Sequence, residues 1–123
     1  MEHKIGLIQI NNSFSNQNYL PLSLGYLYSY ASKKAQNFDK YEFIEPIYKR
    51  SPLAQAINHL RDVDIACFST YVWNINLSMA IAQKLKEENP KILIIFGGCH
   101  IPDTKEKGLC KFMKENRFID IAS

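Results

Sequence analysis

Short apolar runs alternate with segments of helical periodicity from one end of the chain to the other. That alternation constrains the fold more than any other feature of the sequence. The runs lie at 4–10, 41–48, 64–69, 92–96 and 118–122. Between the first two, Leu20, Leu24, Leu27 and Ala31 recur at helical spacing, with Pro21 suited to a first turn. Leu53, Ala56, Ile57 and Leu60 mark a second helix behind Ser51 and Pro52, an N-cap followed by a proline at N1. Leu77, Ile81 and Leu85 form the stripe of a third, which Asn74 or Asn76 can cap and which Asn89 and Pro90 stop. The segment 105–116 reads as a fourth, with Leu109, Phe112 and Met113 on one face.

The runs at 64–69 and 92–96 are apolar at successive positions, as in strands buried on both faces. Pro46 marks the second run as an edge strand or one that ends early. Right-handed crossovers then predict a three-layer α/β domain with a five-stranded parallel sheet in the order 2-1-3-4-5, a flavodoxin-like (Rossmann-like) arrangement. The 123 residues are the length of one domain, and a hydrophobic content of 46% supplies its core. The sequence stops at Ser123, directly after the fifth run, where such a fold usually adds a closing helix. The expectation is a piece, 1–123, of a longer protein.

A net charge of +3, with lysines and acids interspersed, gives little support for nucleic-acid binding. No run is long enough to span a bilayer and the start does not read as a signal peptide, so the expected compartment is the cytoplasm. Cys67, Cys99 and Cys110 are odd in number and widely spaced, which does not indicate a disulfide framework. Cys67 reads as a small core residue, and no cysteine spacing matches an iron–sulfur or zinc site.

In this strand order the ligand crevice lies between strands 1 and 3, beyond the carboxyl ends of the strands. Three loops face it. The first, 11–18, carries Asn11 and Asn12 among its amides. The second holds Ser69, Thr70, Tyr71 and Trp73, and the third opens with Gly97 and Gly98. Aromatic faces, amides and bare backbone suit a flat, polar-edged organic cofactor. An equally weighted reading has Tyr71 and Trp73 covering the core while the glycines make a tight turn. Gly-x-Gly-x-x-Gly and P-loop patterns are absent, and Ser13 and Ser15 only loosely meet the needs of a flavin-phosphate loop. A response-regulator reading fails, because Asn11, Asn12 and Ser69 stand where acids are needed. His100, Asp103 and Cys99 read as an exposed loop with Asp103 or Thr104 capping a helix, in preference to a metal site. His3 sits at a terminus and His59 on a polar helix face, and no nucleophile–base pair is legible.

Several pieces, in order and at their spacing, give the chain a resemblance to a known family. They are 20–27, which opens the first helix; 64–69, which ends in Ser69; 71–74; Asn89 and Pro90; Gly97 and Gly98; and 118–122. The chain resembles the N-terminal cobalamin-binding domain of cobalamin-dependent radical S-adenosylmethionine (SAM) enzymes. The resemblance implies that the cobalamin nucleotide tail lies along the crevice at the strand C-termini. It implies ligand contacts from Ser69, Gly97 and Gly98, then from Asn11, Asn12, Thr70, Tyr71 and Trp73. It also implies a downstream radical SAM domain of the same protein, which would carry SAM and a 4Fe-4S cluster. Many such domains have Asp-x-His-x-x-Gly after strand 1, whose His ligates cobalt. Here that loop begins Asn11, Asn12, Ser13, Phe14, so an axial His from it is excluded.

The alternative to a cobalamin-binding module is a flavodoxin-like scaffolding or interaction domain that binds no cofactor. A small flavin or nucleotide binder is a third reading. On any of them the fragment by itself is expected to lack turnover, since no acid–base or nucleophile set converges.

Overall fold

The structure, a computed structural model, describes residues 3–14, 17–18, 21–102 and 108–123. Strand β1 (His3–Asn11) pairs in parallel with β6 (Ile65–Ser69), from Ile5 opposite Ile65 to Ile8 opposite Phe68. β6 pairs in parallel with β7 (Leu93–Gly97), from Ile65 opposite Leu93 to Ser69 opposite Gly97. β7 pairs in parallel with the short β8 (Ile121–Ala122). On the other edge, β4 (Tyr41–Phe43) and β5 (Ile47–Lys49) both lie parallel to β1. The sheet is therefore six-stranded, in the order β4-β1-β6-β7-β8 with β5 also beside β1.

The strand count departs from the expected five because the second run breaks in two. Pro46 has no N–H for the ladder, so pairing to β1 stops at Ile44, which donates to the Ile5 carbonyl at 3.0 Å, and resumes with a shifted register. The loop after β1 also contains structure. Strands β2 (Ser13–Phe14) and β3 (Gln17–Asn18) pair antiparallel there.

Four α-helices are described: α1 (Leu22–Lys34), α2 (Leu53–Leu60), α3 (Ile75–Glu88) and α4 (Gly108–Glu115). Pro21 and Pro52 each stand at the N-cap, one place before the expected first turn. The Pro21 carbonyl accepts from Leu24 and Gly25 and the Pro52 carbonyl from Gln55 and Ala56. The expected start of the fourth helix, at 105, lies outside the described residues, as does Leu20.

One face of the sheet is fully covered. Ile8, Ile10, Ala66, Phe68, Ile94 and Phe96 pack there against Ala56, Ile57 and Leu60 of α2 and Ile81, Ala82 and Leu85 of α3. Phe68 and Phe96, with ring centroids 4.9 Å apart, each contribute about 2–3 kcal/mol by burial. Asp120 locks this side to the edge. Its Oδ2 accepts from the Ile94 N–H and from Lys86 Nζ, both at 2.8 Å, and Lys86 also donates to the Ile92 carbonyl.

The opposite face is covered only in part. There Leu24 of α1 is buried beside Leu7, while Leu27, expected on the buried stripe, is 57% exposed. Along β6 and β7 the residues of this face, Cys67, Ser69, Ile95 and Gly97, stay half-buried while their neighbours are sealed. Cys67 is therefore not an enclosed core residue. No described helix is long and apolar enough to cross a membrane.

Candidate functional site

The carboxyl ends of β6 and β7 are joined by backbone. Thr70 N–H donates to the Gly97 carbonyl at 2.7 Å, and Thr70 Oγ1 donates to the same oxygen at 2.8 Å. His100 N–H returns a bond to the Thr70 carbonyl at 3.2 Å. Gly98 makes this possible with φ of 103°. A Cβ there would stand 2.6 Å from both the nitrogen and the oxygen of Thr70. The chain's own backbone thus requires glycine at 98. Thr70 is completely buried, and its hydroxyl serves this junction.

Asn74 ties the loop after β6 to the sheet. Its Nδ2 donates to the carbonyls of Ile10, at 3.0 Å, and Ser69, at 3.1 Å, at the carboxyl ends of two adjacent strands. Its Oδ1 accepts from Tyr71 N–H at 2.8 Å. The residue occupies the N-cap position of α3, but its side chain makes no capping bond to the helix. It is 1% exposed, and these three bonds satisfy it.

Between α1 and the open face of β6 and β7 runs a groove of about 790 Å³. Leu22, Leu27, Tyr26 and Tyr30 form one wall, and Cys67 and Ile95 lie on the sheet side. Ser69, Tyr71, Gly97, Gly98 and Ser123 close its upper end. A Cβ at Gly97 would meet nothing nearer than the Ser123 carbonyl oxygen at 3.8 Å, so this glycine is not demanded by packing. Burial pushes the Cys67 thiol up to about 11, which keeps it protonated and uncharged at neutral pH. Gln9, one residue beyond the pairing of Ile8 with Phe68, is 7% exposed. Its Oε1 is buried with no hydrogen-bond partner among the described residues.

Two aromatic rings form the rim. Tyr71 and Trp73 stack with centroids 4.6 Å apart and planes within 1° of parallel. The Tyr71 hydroxyl lies 3.4 Å from Ser23 Oγ on α1. Arg50, just past β5, donates from Nε to Asn12 Oδ1 at 3.1 Å and from Nη2 to the Trp73 carbonyl.

The eight expected positions therefore separate into groups. Ser69, Tyr71, Gly97 and Gly98 line the groove. Trp73 stands beside them through its stack on Tyr71. Asn11 is 8% exposed and accepts from Gln9 Nε2 at 3.4 Å, whereas Asn12 is exposed and held by Arg50. Thr70 is internal. Sequence reasoning missed Arg50, the bonds of Asn74 and the aromatic wall of α1. Arg50 had a legible signal, since it stands two residues past the second apolar run at the carboxyl edge of the sheet. Asp103 lies outside the described residues, and among those described no three His, Cys, Asp or Glu side chains could share a metal ion. His59 is exposed, with Nε2 2.8 Å from the Glu45 carbonyl oxygen.

No family model matches the chain. Two curated proteins are similar to it. The cobalamin-dependent radical SAM methyltransferase TokK of Streptomyces tokunonensis is 30% identical over 103 residues, which is 84% of this chain and 14% of that protein. The 2-(S-pantetheinyl)-carbapenam-3-carboxylate methyltransferase of Streptantibioticus cattleyicolor is 34% identical over 85 residues, 69% of this chain and 12% of that protein. The chain is homologous over most of its length to these two methyltransferases, the first of them a cobalamin-dependent radical SAM enzyme. It spans about one-seventh of the length of TokK and somewhat less of the second relative.

Proposed function

We propose that residues 1–123 form the cobalamin-binding module of a longer radical SAM enzyme, with the nucleotide tail of the cofactor lying in the groove between α1 and the open face of β6 and β7. The observation that carries this reading is Gly97. It opens onto an otherwise apolar groove at the strand C-termini, where a side chain would stand in free space. The homology supports the same ligand, because one relative's name specifies cobalamin dependence.

The residues fit the group in kind. Leu22, Leu27, Tyr26, Tyr30 and Ile95 would enclose an apolar heteroaromatic base, and Ser69 would offer it a hydroxyl. The stacked Tyr71 and Trp73 present flat apolar surface for a macrocycle at the groove mouth. The loop after β1 supplies no imidazole, so the cobalt would have no His beneath it from that loop. When bound, cobalamin supplies a cobalt centre that can carry a methyl group. SAM and a 4Fe-4S cluster would belong to a downstream radical SAM domain, whose substrate this module does not choose. The reading includes a cytoplasmic compartment, as expected from the sequence.

The test is a titration of the purified chain with hydroxocobalamin. A red protein that keeps the corrin through gel filtration, with a displaced visible spectrum, supports the reading. A chain that folds and elutes colourless overturns it in favour of a scaffold that binds no cofactor.

A further inference from the structure

One side chain links two of the loops that face the crevice. Arg50, just past β5, donates to Asn12 Oδ1 after β1 and to the carbonyl of Trp73 after β6. A guanidinium can do this because its donors are fixed in a planar fork, so two acceptors on different loops are held at one mutual geometry. Asn74 secures the start of the Trp73 loop, at Ser69 and Tyr71. Further along, Val72 is 75% exposed and Trp73 is 42% exposed, so the tip has little packing of its own. The Tyr71 carbonyl accepts from Asn74 N–H at 3.1 Å and Ile75 N–H at 3.0 Å, which closes the turn, and the Trp73 ring and carbonyl are held by the stack on Tyr71 and the bond from Arg50.

We infer that Arg50 is a positioning residue, which holds Trp73 over Tyr71 so that the aromatic rim is formed before the cofactor arrives. The inference rests on the cobalamin reading for its consequence, though not for its geometry. An ordered rim spares the binding step the entropy of ordering a loop and two large rings. Lysine could not replace arginine here, because a single ammonium on a flexible stem does not fix two acceptors relative to each other.

Trp73 is the chain's one tryptophan, so its fluorescence reports this loop without any ligand. In Arg50→Ala and Arg50→Lys, acrylamide quenching of Trp73 should rise and its anisotropy fall, with the melting temperature close to wild type. Hydroxocobalamin affinity should drop about tenfold in both, the equivalent of ordering one or two side chains on binding. Unchanged quenching and anisotropy in Arg50→Ala would overturn the inference. So would a lysine variant identical to wild type, because charge alone would then suffice. A changed fluorescence with unchanged cobalamin affinity would equally overturn the positioning role. If the wild-type chain binds no cobalamin, the functional reading fails by itself, and the fluorescence comparison still decides whether Arg50 holds the rim.

Discussion

A Cβ at Gly98 would stand 2.6 Å from the backbone nitrogen and the carbonyl oxygen of Thr70, whereas one at Gly97 would meet only the Ser123 carbonyl, at 3.8 Å. Two adjacent glycines thus answer to different demands. The second is fixed by the protein's own backbone and the first is left to whatever occupies the groove.

Gly98→Ala and Gly98→Val should both destabilise the chain before any question of ligand arises. The φ of 103° costs a residue with a Cβ about 1–3 kcal/mol, and overlap with Thr70 adds to it. Thermal melting of the two variants checks this. An alanine variant that melts with the wild type would contradict the positive φ and the contact with Thr70.

Gly97→Val is the informative substitution for function. Valine suits a strand, and beyond the adjacent residues the new Cβ has only the Ser123 carbonyl oxygen within 4 Å, so stability should change by less than about 1 kcal/mol. The added isopropyl group fills the upper end of the groove, so hydroxocobalamin retention should fall at least about tenfold, the effect of losing roughly 1.4 kcal/mol of binding. Full retention in a normally folded Gly97→Val protein would show that the ligand does not lie there.

Much of the layout was legible because the apolar runs carry it. The 64–69 and 92–96 runs have no polar alternation, and both are flanked on both sides in the sheet, as β1 is too. The split of the second run was only half legible. Pro46 announced an interruption, but whether β5 would return to β1 depends on the register after the gap. What periodicity could not supply was the state of the α1 face. Leu27 and Cys67 read as core because they are apolar, yet their burial depends on what lies opposite in three dimensions. The long-range bonds of Arg50 and Asn74 were hidden for a related reason. Arg50 bonds to Asn12 and Trp73, 38 and 23 residues away, and Asn74 reaches the Ile10 carbonyl 64 residues away, beyond any local pattern.

Asn74→Ala removes three hydrogen bonds and leaves the carbonyls of Ile10 and Ser69 short of a donor, for a loss of about 2–4 kcal/mol. Asn74→Asp is the sharper test, since it keeps the shape and turns the donor into an acceptor facing those two oxygens. Chemical denaturation at neutral pH should place the aspartate variant at or below the alanine variant. An aspartate variant as stable as wild type would mean that Nδ2 does not hold the two strand ends together.

Cys67 offers a check that needs no substitution. Its thiol titrates near 11 in the folded chain against 9.0 for an unshielded one, because burial disfavours the thiolate. At pH 8, iodoacetamide should therefore label the exposed Cys99 and Cys110 while Cys67 reacts slowly, and Cys67 labelling should accelerate as pH approaches 11. The same shift sets the sign of the stability change. Because the folded-state value is the higher one, this contribution is complete below pH 9 and is lost as pH rises through about 11. Since Cys67 lines the groove, saturating hydroxocobalamin should slow its labelling further and leave Cys99 and Cys110 unaffected. Peptide mass mapping of the alkylated sites reads all three rates. Prompt labelling of Cys67 at pH 8, or no protection by a corrin that is demonstrably bound, would show that the ligand does not cover this face of the sheet.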